Sequence, residues 1–383
     1  MGKAGSDGQS HRRAAGMRLR SLQLCLFLGL ALAAIAWRFP ASFSRPEQLA
    51  YDIATEYRPN PPPVDEILIV EIDDLSLDDA QLGQFPWPRS VYAKLIDRLE
   101  PARVVGLDVL LLEEGRLDPG GDEALARSME RHGRVVLPAS ILEDRVVSAE
   151  GTRRLDAFRE TLGPAPRPGP AEIARFQPPI LPLTEAAGAV GFANLVEDGD
   201  GRYRRIRPYY AGPDGLAYPN FACEIARVAA SQEAAEMYAA EPEALHVAGR
   251  RLPLSDEHMW ISYAGPAGTF PRVSAADVHG GRVPGSQLRG KIVLIGATAA
   301  GLHDLRPAPY LGRGGRMYGV ETNANVVNTL LAAEPLVDEG KWSVIVSLPL
   351  LALLAWWLVW RRGSSAAATG IIVGALLLIA WYG

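Results

Sequence analysis

The sequence is poor in cysteine, with two among its 383 residues. Cys25 lies within an apolar run near the N-terminus, whereas Cys223 lies in the polar middle of the chain. These positions exclude a disulfide between folded partners, so the middle of the chain must be stabilised by its core alone. About 300 residues separate the terminal apolar runs, which is ample for one large domain or two small ones.

The sequence also lacks any concentration of positive charge. Its net charge is −5, and its lysines and arginines are scattered along the chain. A nucleic-acid-binding protein would show a basic patch or stripe. We therefore expect no nucleic acid partner.

Recognisable catalytic and nucleotide-binding motifs are absent as well. The six histidines are dispersed without paired metal-ligand spacing, and Ser76 and Ser90 have no evident base partner. The small residues at 296–301 follow a predicted strand, but no Lys-Ser or Lys-Thr pair closes them into a phosphate-binding loop. These absences favour a protein that is not itself an enzyme, and they indicate no particular metal or cofactor.

What the sequence does contain is three long apolar runs. One spans residues 22–37, and two lie close together at 342–360 and 366–383. The two C-terminal runs are near the length of roughly 20 residues that a membrane-spanning helix requires, whereas the first run is short. The predicted arrangement is an exported polar segment, residues 38–341, with one membrane helix before it and two after it.

Arginines beside these runs predict the orientation in the membrane. They are Arg12, Arg13, Arg18, Arg20, Arg361 and Arg362. Because cationic residues stay on the cytoplasmic side, residues 1–21 are predicted to form a cytoplasmic tail and residues 38–341 to face outward. The predicted location is the inner (plasma) membrane, as a multi-pass protein in contact with lipid. The first run suits either a signal anchor or a cleaved signal peptide, and both interpretations export the same segment.

Strand-like and helix-like patterns alternate within the exported segment. Predicted strands lie at residues 66–72, 104–112, 134–141, 259–263 and 291–296, and predicted helices at 89–99, 122–131, 220–230 and 320–331. Such alternation predicts an α/β fold in which helices flank a mostly parallel sheet. The proline-rich residues 142–183 predict a loop or an excursion from the fold rather than part of the core. The turn at 197–201 predicts a hairpin between strands at 189–195 and 202–209.

Acidic residues follow the ends of several predicted strands. Asp73 and Asp74 come after the first strand, Asp108 lies in the second, and His303 and Asp304 follow the last. Because ligand sites gather at the carboxyl ends of parallel strands, these residues are candidates to line one crevice that binds a polar ligand or a metal ion. The other interpretation is that Asp73 and Asp74 cap the following turn while Asp108 pairs internally.

Arg89 begins the first predicted helix, directly after the compact segment 85–88. A guanidinium group can hold a carboxylate through two parallel hydrogen bonds. Arg89 is therefore expected to bind Asp74 or Asp108, and we include it among the candidate ligand-binding residues.

Several sequence blocks resemble the type 2 CHASE domain, the extracellular sensory domain associated with cyclases and histidine kinases. The blocks lie at residues 72–99, 104–111, 191–205, 290–309 and 318–331. The positions that recur in the family are occupied by Asp73, Asp74, Pro86, Trp87, Pro88, Arg89, Asp108, Asp304 and Gly319.

This resemblance implies an extracytoplasmic sensor, three membrane helices and a cytoplasmic effector. The effectors it implies are adenylate or guanylate cyclases, histidine kinases, diguanylate cyclases and protein kinases. Because this sequence has two C-terminal apolar runs, we expect either that a third span and an effector are missing from it or that it signals through partners.

The favoured function is detection of an unknown envelope ligand or protein, followed by transmission of the signal across the membrane. A homodimer is the expected assembly. Two alternatives remain open. One is an exported, membrane-anchored hydrolase or ligand-binding protein, and the other is an assembly module that only dimerises and holds membrane partners in register.

Overall fold

The computed structural model describes residues 22–31, 33–34, 38, 44–59, 62–79, 82–83, 85–141, 149–170, 176–302, 304–310, 315–332, 336, 349–350, 352–354, 356–357 and 361. The chain divides into two compact units. One comprises Met1–Arg58 together with Asp338–Gly383, and the other comprises Pro59–Val337.

The first unit is helical wherever it is described at length. Residues 22–31 are helical, and helix α1 spans Ser44–Tyr57. No helix among the described residues combines the length and the apolar content that a membrane crossing requires. The predicted span at 366–383 lies outside the described residues, and those at 22–37 and 342–360 are described only in part. The membrane topology therefore stays a prediction.

The second unit is built on a parallel sheet. Its strands are β1 (Ile67–Ile72), β2 (Val104–Leu107), β3 (Val135–Ile141), β4 (Phe176–Gln177), β5 (Ala189–Phe192), β6 (Arg205–Ile206), β7 (Tyr209–Ala211), β8 (Ala217–Pro219), β9 (Ala244–Val247), β10 (Arg250–Pro253), β11 (Met259–Trp260), β12 (Arg272–Ser274), β13 (Ile292–Ala297), β14 (Leu305–Pro307) and β15 (Arg316–Tyr318). The main sheet has the order β12-β1-β13-β2-β3-β4, and β5 also pairs with β3. All of its pairs are parallel except β3 with β4. The predicted mostly parallel α/β fold is thereby confirmed.

Helices cover both faces of this sheet. They are α2 (Asp74–Asp78), α3 (Arg89–Arg98), α4 (Gly121–His132), α5 (Ala149–Glu160), α6 (Leu181–Ala186), α7 (Phe221–Ala229), α8 (Ala234–Tyr238), α9 (Ala275–His279), α10 (Gly285–Leu288) and α11 (Gly319–Leu331). Helices α7 and α11 pack together over one face. Helices α3, α4, α6 and α9 contribute to the apolar core on the other.

Strand β1 is buried on both faces, as its aliphatic sequence predicts. Leu68, Val70 and Ile72 belong to the core that α3 and α4 share. The alternating residues Ile67 and Ile69 are fully buried as well. Because side chains alternate along a strand, these two lie on the face that α7 and α11 cover.

Two glycines allow α7 and α11 to approach the sheet closely. A Cβ on Gly191 of β5 would lie 2.7 Å from backbone atoms at the start of α7. A Cβ on Gly296 of β13 would lie 2.6 Å from the Cβ of Val320 in α11. Larger residues at either position would push the helix away from the strand.

Helix α11 is buried except at its last residue, although many of its side chains are polar. These side chains accept hydrogen bonds from backbone amides outside the main sheet. Asn325 Oδ1 accepts from the backbone N of Ala264 at 2.8 Å. Thr329 Oγ1 accepts from the backbone N of Ser262 at 2.9 Å. Because an unpaired buried amide is costly, α11 determines where this non-repetitive segment lies.

Asn328 on the same helix joins the two ends of the second unit. Its Oδ1 accepts a hydrogen bond from the backbone N of Val64 at 2.8 Å. Val64 lies just before β1, and Asn328 lies in the last turn of α11. The segment that enters the unit and the helix that leaves it are therefore bound to each other.

The buried carboxylate of Glu321 in α11 is compensated by Arg272 of β12. The Arg272 Nη2 lies 3.0 Å from Glu321 Oε1, and Arg272 Nη1 donates to Glu71 of β1 at 2.8 Å. The backbone N of Gly268 also donates to Glu321 Oε1, at 2.7 Å. Removing one partner of such a buried pair typically costs roughly 3–5 kcal/mol. This triad fixes the edge strand β12 to both β1 and α11.

The prediction that residues 142–183 form a loop is wrong, because α5 lies within them. The prolines that indicated a loop all come after this helix, from residue 164 onward. Helix α5 is rich in charged residues and buries little apolar surface, chiefly through Leu155 and Phe158. Its helical periodicity is therefore weak in the sequence.

The predicted hairpin between residues 189–195 and 202–209 is also wrong. Strand β5 pairs with β3 in parallel, and β6 pairs with β11 instead. The turn between them is held by a backbone hydrogen bond from the N of Asp198 to the carbonyl oxygen of Arg202, at 3.0 Å, and by ion pairs. Asp198 and Asp200 both accept hydrogen bonds from the buried guanidinium of Arg204, at 2.8 and 2.7 Å. These ion pairs close the turn without any strand pairing across it.

We predict that Gly191→Ala lowers the free energy of unfolding by about 1–3 kcal/mol, because the added Cβ meets backbone that cannot move aside. Urea unfolding of the full chain in detergent, followed by tryptophan fluorescence, measures this loss. Gly199→Ala is the matched control, since a Cβ there has no atom within 4 Å. Equal losses in the two variants would contradict close packing of α7 on β5.

Candidate functional site

A crevice of about 580 Å³ lies at the carboxyl ends of the parallel strands. Its border includes Ile72 of β1, Ala297 of β13, Asp108 after β2 and Ser140 of β3. Helices α3 and α4, which follow β1 and β2, lie on one face, whereas α11, which follows β13 between them, lies on the other. Ligand crevices form where successive connections diverge in this way.

Asp108 places a carboxylate at the wall of the crevice. Asn323 of α11 donates from Nδ2 to Asp108 Oδ2 at 3.0 Å. Burial raises the pKa of Asp108 to about 7, and the negative charge of Asp304 adds to the shift, whereas Asn323 and Arg306 oppose it. The Asp108 carboxyl therefore gains or loses its proton near neutral pH.

Asp304 and Arg306 form a second polar part of the wall. The Arg306 Nε donates to Asp304 Oδ1 at 3.2 Å. The backbone N of Gly319, the first residue of α11, donates to the carbonyl oxygen of Asp304 at 3.1 Å. The segment that carries Asp304 is thus attached to the start of α11.

Glu197 and Tyr203 form a third polar part. The Tyr203 hydroxyl donates to Glu197 Oε1 at 2.5 Å. Burial and this hydrogen bond raise the pKa of Tyr203 to about 12, although Arg306 opposes the shift. The phenol therefore remains a neutral donor at physiological pH.

The remaining wall of the crevice is apolar. It is formed by Phe85, Val109, Leu110, Leu195 and Leu302. The ring of Phe85 packs edge-on against Trp87, with ring centroids 5.8 Å apart. An apolar wall with a few polar groups, enclosing a volume of this size, is typical of small-molecule binding sites.

A family model describes the whole of this architecture and part of each flank. The model of the CHASE2 domain matches residues 28–365. The chain belongs to the CHASE2 family. This match confirms the family predicted from the sequence blocks, and CHASE2 is a family of sensory domains. No curated protein and no solved structure matches the chain.

The crevice of this CHASE2 domain contains two of the predicted site residues, Asp108 and Asp304. Asp73 serves elsewhere as the N-cap of α2, because its Oδ1 accepts from the backbone N of Ser76 at 2.9 Å. It also accepts from the hydroxyl of Ser274, at 2.8 Å. Asp74 lies in the first turn of α2 and is exposed. The capping interpretation is thus confirmed for Asp73.

The expected contact of Arg89 with Asp74 or Asp108 is wrong. Its Nε donates to Asp122 Oδ1 at 3.1 Å, and its Nη2 donates to the carbonyl oxygen of Glu113 at 2.8 Å. Asp122 lies in the first turn of α4, which packs beside α3. Arg89 therefore joins the starts of two neighbouring helices.

His303, the remaining predicted site residue, lies outside the described residues. Within the described ranges, no group of three or more histidine, cysteine or acidic side chains is placed to hold a metal ion. Ligand binding by any of the predicted residues stays a prediction.

Sequence reasoning missed Asn323, Glu197, Tyr203 and Arg306 as residues of the crevice. A signal was available for Asn323, because an amide within an otherwise buried helix needs a polar partner. The other three are brought to the crevice by irregular segments and by the short strand β14. No local pattern predicts where such segments lie.

Asp108→Asn is predicted to stabilise the CHASE2 domain increasingly as the pH rises from about 4 to about 8. Because the pKa of Asp108 rises from 3.8 to about 7 on folding, protonation favours the folded state at low pH. That contribution is lost as the pH rises through 7. Asparagine carries no charge, so at about pH 8 the free energy of unfolding of the variant should exceed that of the wild type by on the order of a few kcal/mol.

Urea unfolding of both proteins at about pH 5 and pH 8 tests this expectation. The control is Asp74→Asn, which removes an exposed carboxylate. A stability difference between Asp108→Asn and wild type that stays constant with pH would show that Asp108 does not titrate in this range.

Proposed function

We propose that this CHASE2 chain is a membrane-anchored extracytoplasmic sensor that binds a polar ligand in the crevice and transmits the signal through α11. The observation that carries the proposal is the hydrogen bond from Asn323 of α11 to Asp108. It connects the polar wall of the crevice directly to the helix that precedes the C-terminal apolar runs.

A ligand that engages the Asp108 carboxylate competes with the hydrogen bond that Asn323 of α11 donates to it. Asp304 is attached to α11 through its backbone carbonyl oxygen, which accepts from the N of Gly319, so a ligand bound to its side chain lies beside the start of the helix. A ligand shifts a conformational equilibrium only when it binds the two states with different affinity. The ligand and Asn323 of α11 use the same carboxylate, so the ligand binds more tightly to the state in which that hydrogen bond is broken.

The opposite end of α11 offers a route out of the unit. Asn328 holds Val64, so a movement of the helix is shared with the segment that leads back to the first apolar run. We infer that the signal is a displacement of the run at 342–360 relative to the run at 22–37. The proposed receiver is an adenylate or guanylate cyclase or a histidine kinase, and the proposed assembly is a homodimer in the inner (plasma) membrane.

The test is disulfide crosslinking in membranes between the native Cys25 and a cysteine introduced near the cytoplasmic end of the second run by Leu358→Cys, because the predicted topology places both positions at the same depth. Because the ligand is unidentified, the experiment uses a substitution as the perturbation. Asn323→Leu removes the hydrogen bond between α11 and Asp108 that a ligand would compete with. We expect this variant to change the crosslinking rate at least about twofold, since a lost buried hydrogen bond is typically worth about 1 kcal/mol.

Glu130→Gln, an exposed substitution on α4, is the control and should leave the crosslinking rate unchanged. Folding of each variant is checked by its thermal unfolding midpoint. A folded Asn323→Leu protein that crosslinks like wild type would count against transmission through α11.

A further inference from the structure

The wall of the crevice carries an excess of negative charge. Its ionisable carboxylates are Asp108, Glu197 and Asp304, and its only cationic side chain among the described residues is Arg306. The Arg306 guanidinium already pairs with Asp304 at 3.2 Å. Glu197 accepts the hydroxyl of Tyr203.

Two of these carboxylates, Asp108 and Glu197, form no ion pair among the described residues, although the charge of Arg306 acts on both. The side-chain hydrogen bond of Asp108 comes from the neutral amide of Asn323. Glu321 and Asp198, which are buried, are each paired with an arginine, whereas Asp108 is half-buried at the wall of the cavity. A buried carboxylate without a cation is costly when ionised, and a cation placed beside it removes that cost.

The negative charge of Asp304 makes the part of the crevice beside Asp108 more favourable for a cation. Asp304 lies close enough to raise the pKa of Asp108 by repulsion between the two negative charges. Both side chains line one cavity, and a positive charge within it is attracted by each.

The apolar wall constrains what carries this charge. Phe85, Leu195 and Leu302 would lie against the body of a bound molecule. The volume of about 580 Å³ falls within the range of small-molecule sites. A bare divalent cation makes no use of this part of the wall, because Mg²⁺ and Ca²⁺ bind oxygen ligands and apolar side chains offer none. The described residues also supply no group of three or more histidine, cysteine or acidic side chains that could hold a metal ion.

We propose that the crevice binds a small organic cation, with an ammonium group beside Asp108 and Asp304 and an apolar body against Phe85. This proposal specifies the chemical class of the ligand that the proposed sensor binds, and it rests on that proposed function. An ammonium group donates three hydrogen bonds, which suits the carboxylate oxygens of the wall.

Binding of such a cation depends on the ionisation of Asp108. The charged and titratable groups that face Asp108 are Asp304 and Arg306, with Glu197 and Tyr203 further along the same wall. Because the pKa of Asp108 is about 7, protonation competes with the ligand below neutrality. Affinity should fall about tenfold from pH 8 to pH 6.

The experiment is isothermal titration calorimetry on the full chain in nanodiscs. The probes are n-butylammonium, 2-phenylethylammonium and 1,4-butanediammonium, with 2-phenylethanol and phenylacetate as the neutral and anionic counterparts and Mg²⁺ and Ca²⁺ as metal ions. We expect at least one ammonium probe to bind and its counterparts to bind at least about tenfold more weakly, as loss of a charged hydrogen bond implies.

Asp108→Asn should weaken the ammonium probe at least about tenfold and remove its pH dependence. Glu130→Gln, on the opposite face of the sheet, should bind like wild type. If Asp108→Asn does not fold, two other changes take its place. Asp304→Asn should weaken binding of the ammonium probe, and so should lowering the pH of the wild-type protein from 8 to 6.

Failure of all ammonium probes would overturn the proposal. Equal binding of 2-phenylethanol, preferential binding of phenylacetate, or Asp108-dependent binding of Mg²⁺ or Ca²⁺ would overturn it as well. The crosslinking response of Asn323→Leu does not depend on any of these probes. A failed ligand class is therefore distinguishable from a failed sensor mechanism.

Discussion

The need to pair buried backbone amides organises this CHASE2 domain around α11. An apolar helix on the face of a sheet would bury surface and nothing more, whereas α11 also carries the acceptors that irregular segments require. Asn325 and Thr329 take the amides of Ala264 and Ser262, and Glu321 takes that of Gly268. The first two of these bonds are buried and therefore expensive to lose, so the position of the helix and the course of the segment depend on each other.

Glu321, which is fully buried, and Asp108, which is half-buried, have opposite surroundings. Glu321 is matched by Arg272, which also reaches Glu71, and this triad belongs to the framework. Asp108 is matched only by an amide from the same helix, and it faces a cavity. Burial and the charge of Asp304 disfavour the ionised form of Asp108. The acid that faces the cavity is therefore the one whose charge depends on its surroundings, and it is a natural place for a response to the environment.

Elements with a strong local pattern were predictable from the sequence. Strands β1 and β13 and helices α3, α7 and α11 are continuous apolar runs or clear helical periods, and their bounds agree with prediction within a few residues. Strand β12 has three residues and is held by the Arg272 ion pairs, so no local pattern identifies it. The site residues differ in the same respect. Asp108 was predictable because it follows a strand with a clear apolar pattern. The positions of Glu197 and Tyr203 depend on a turn that the Arg204 ion pairs close, and the partner of Arg89 depends on how α3 packs beside α4.

The hydrogen bond between Val64 and Asn328 joins residues 264 positions apart and closes the domain at a single point. Its two chain ends are consequently neighbours, as they are in domains that tolerate insertion into other proteins. Such a domain can be placed between two segments of a host chain without separating them.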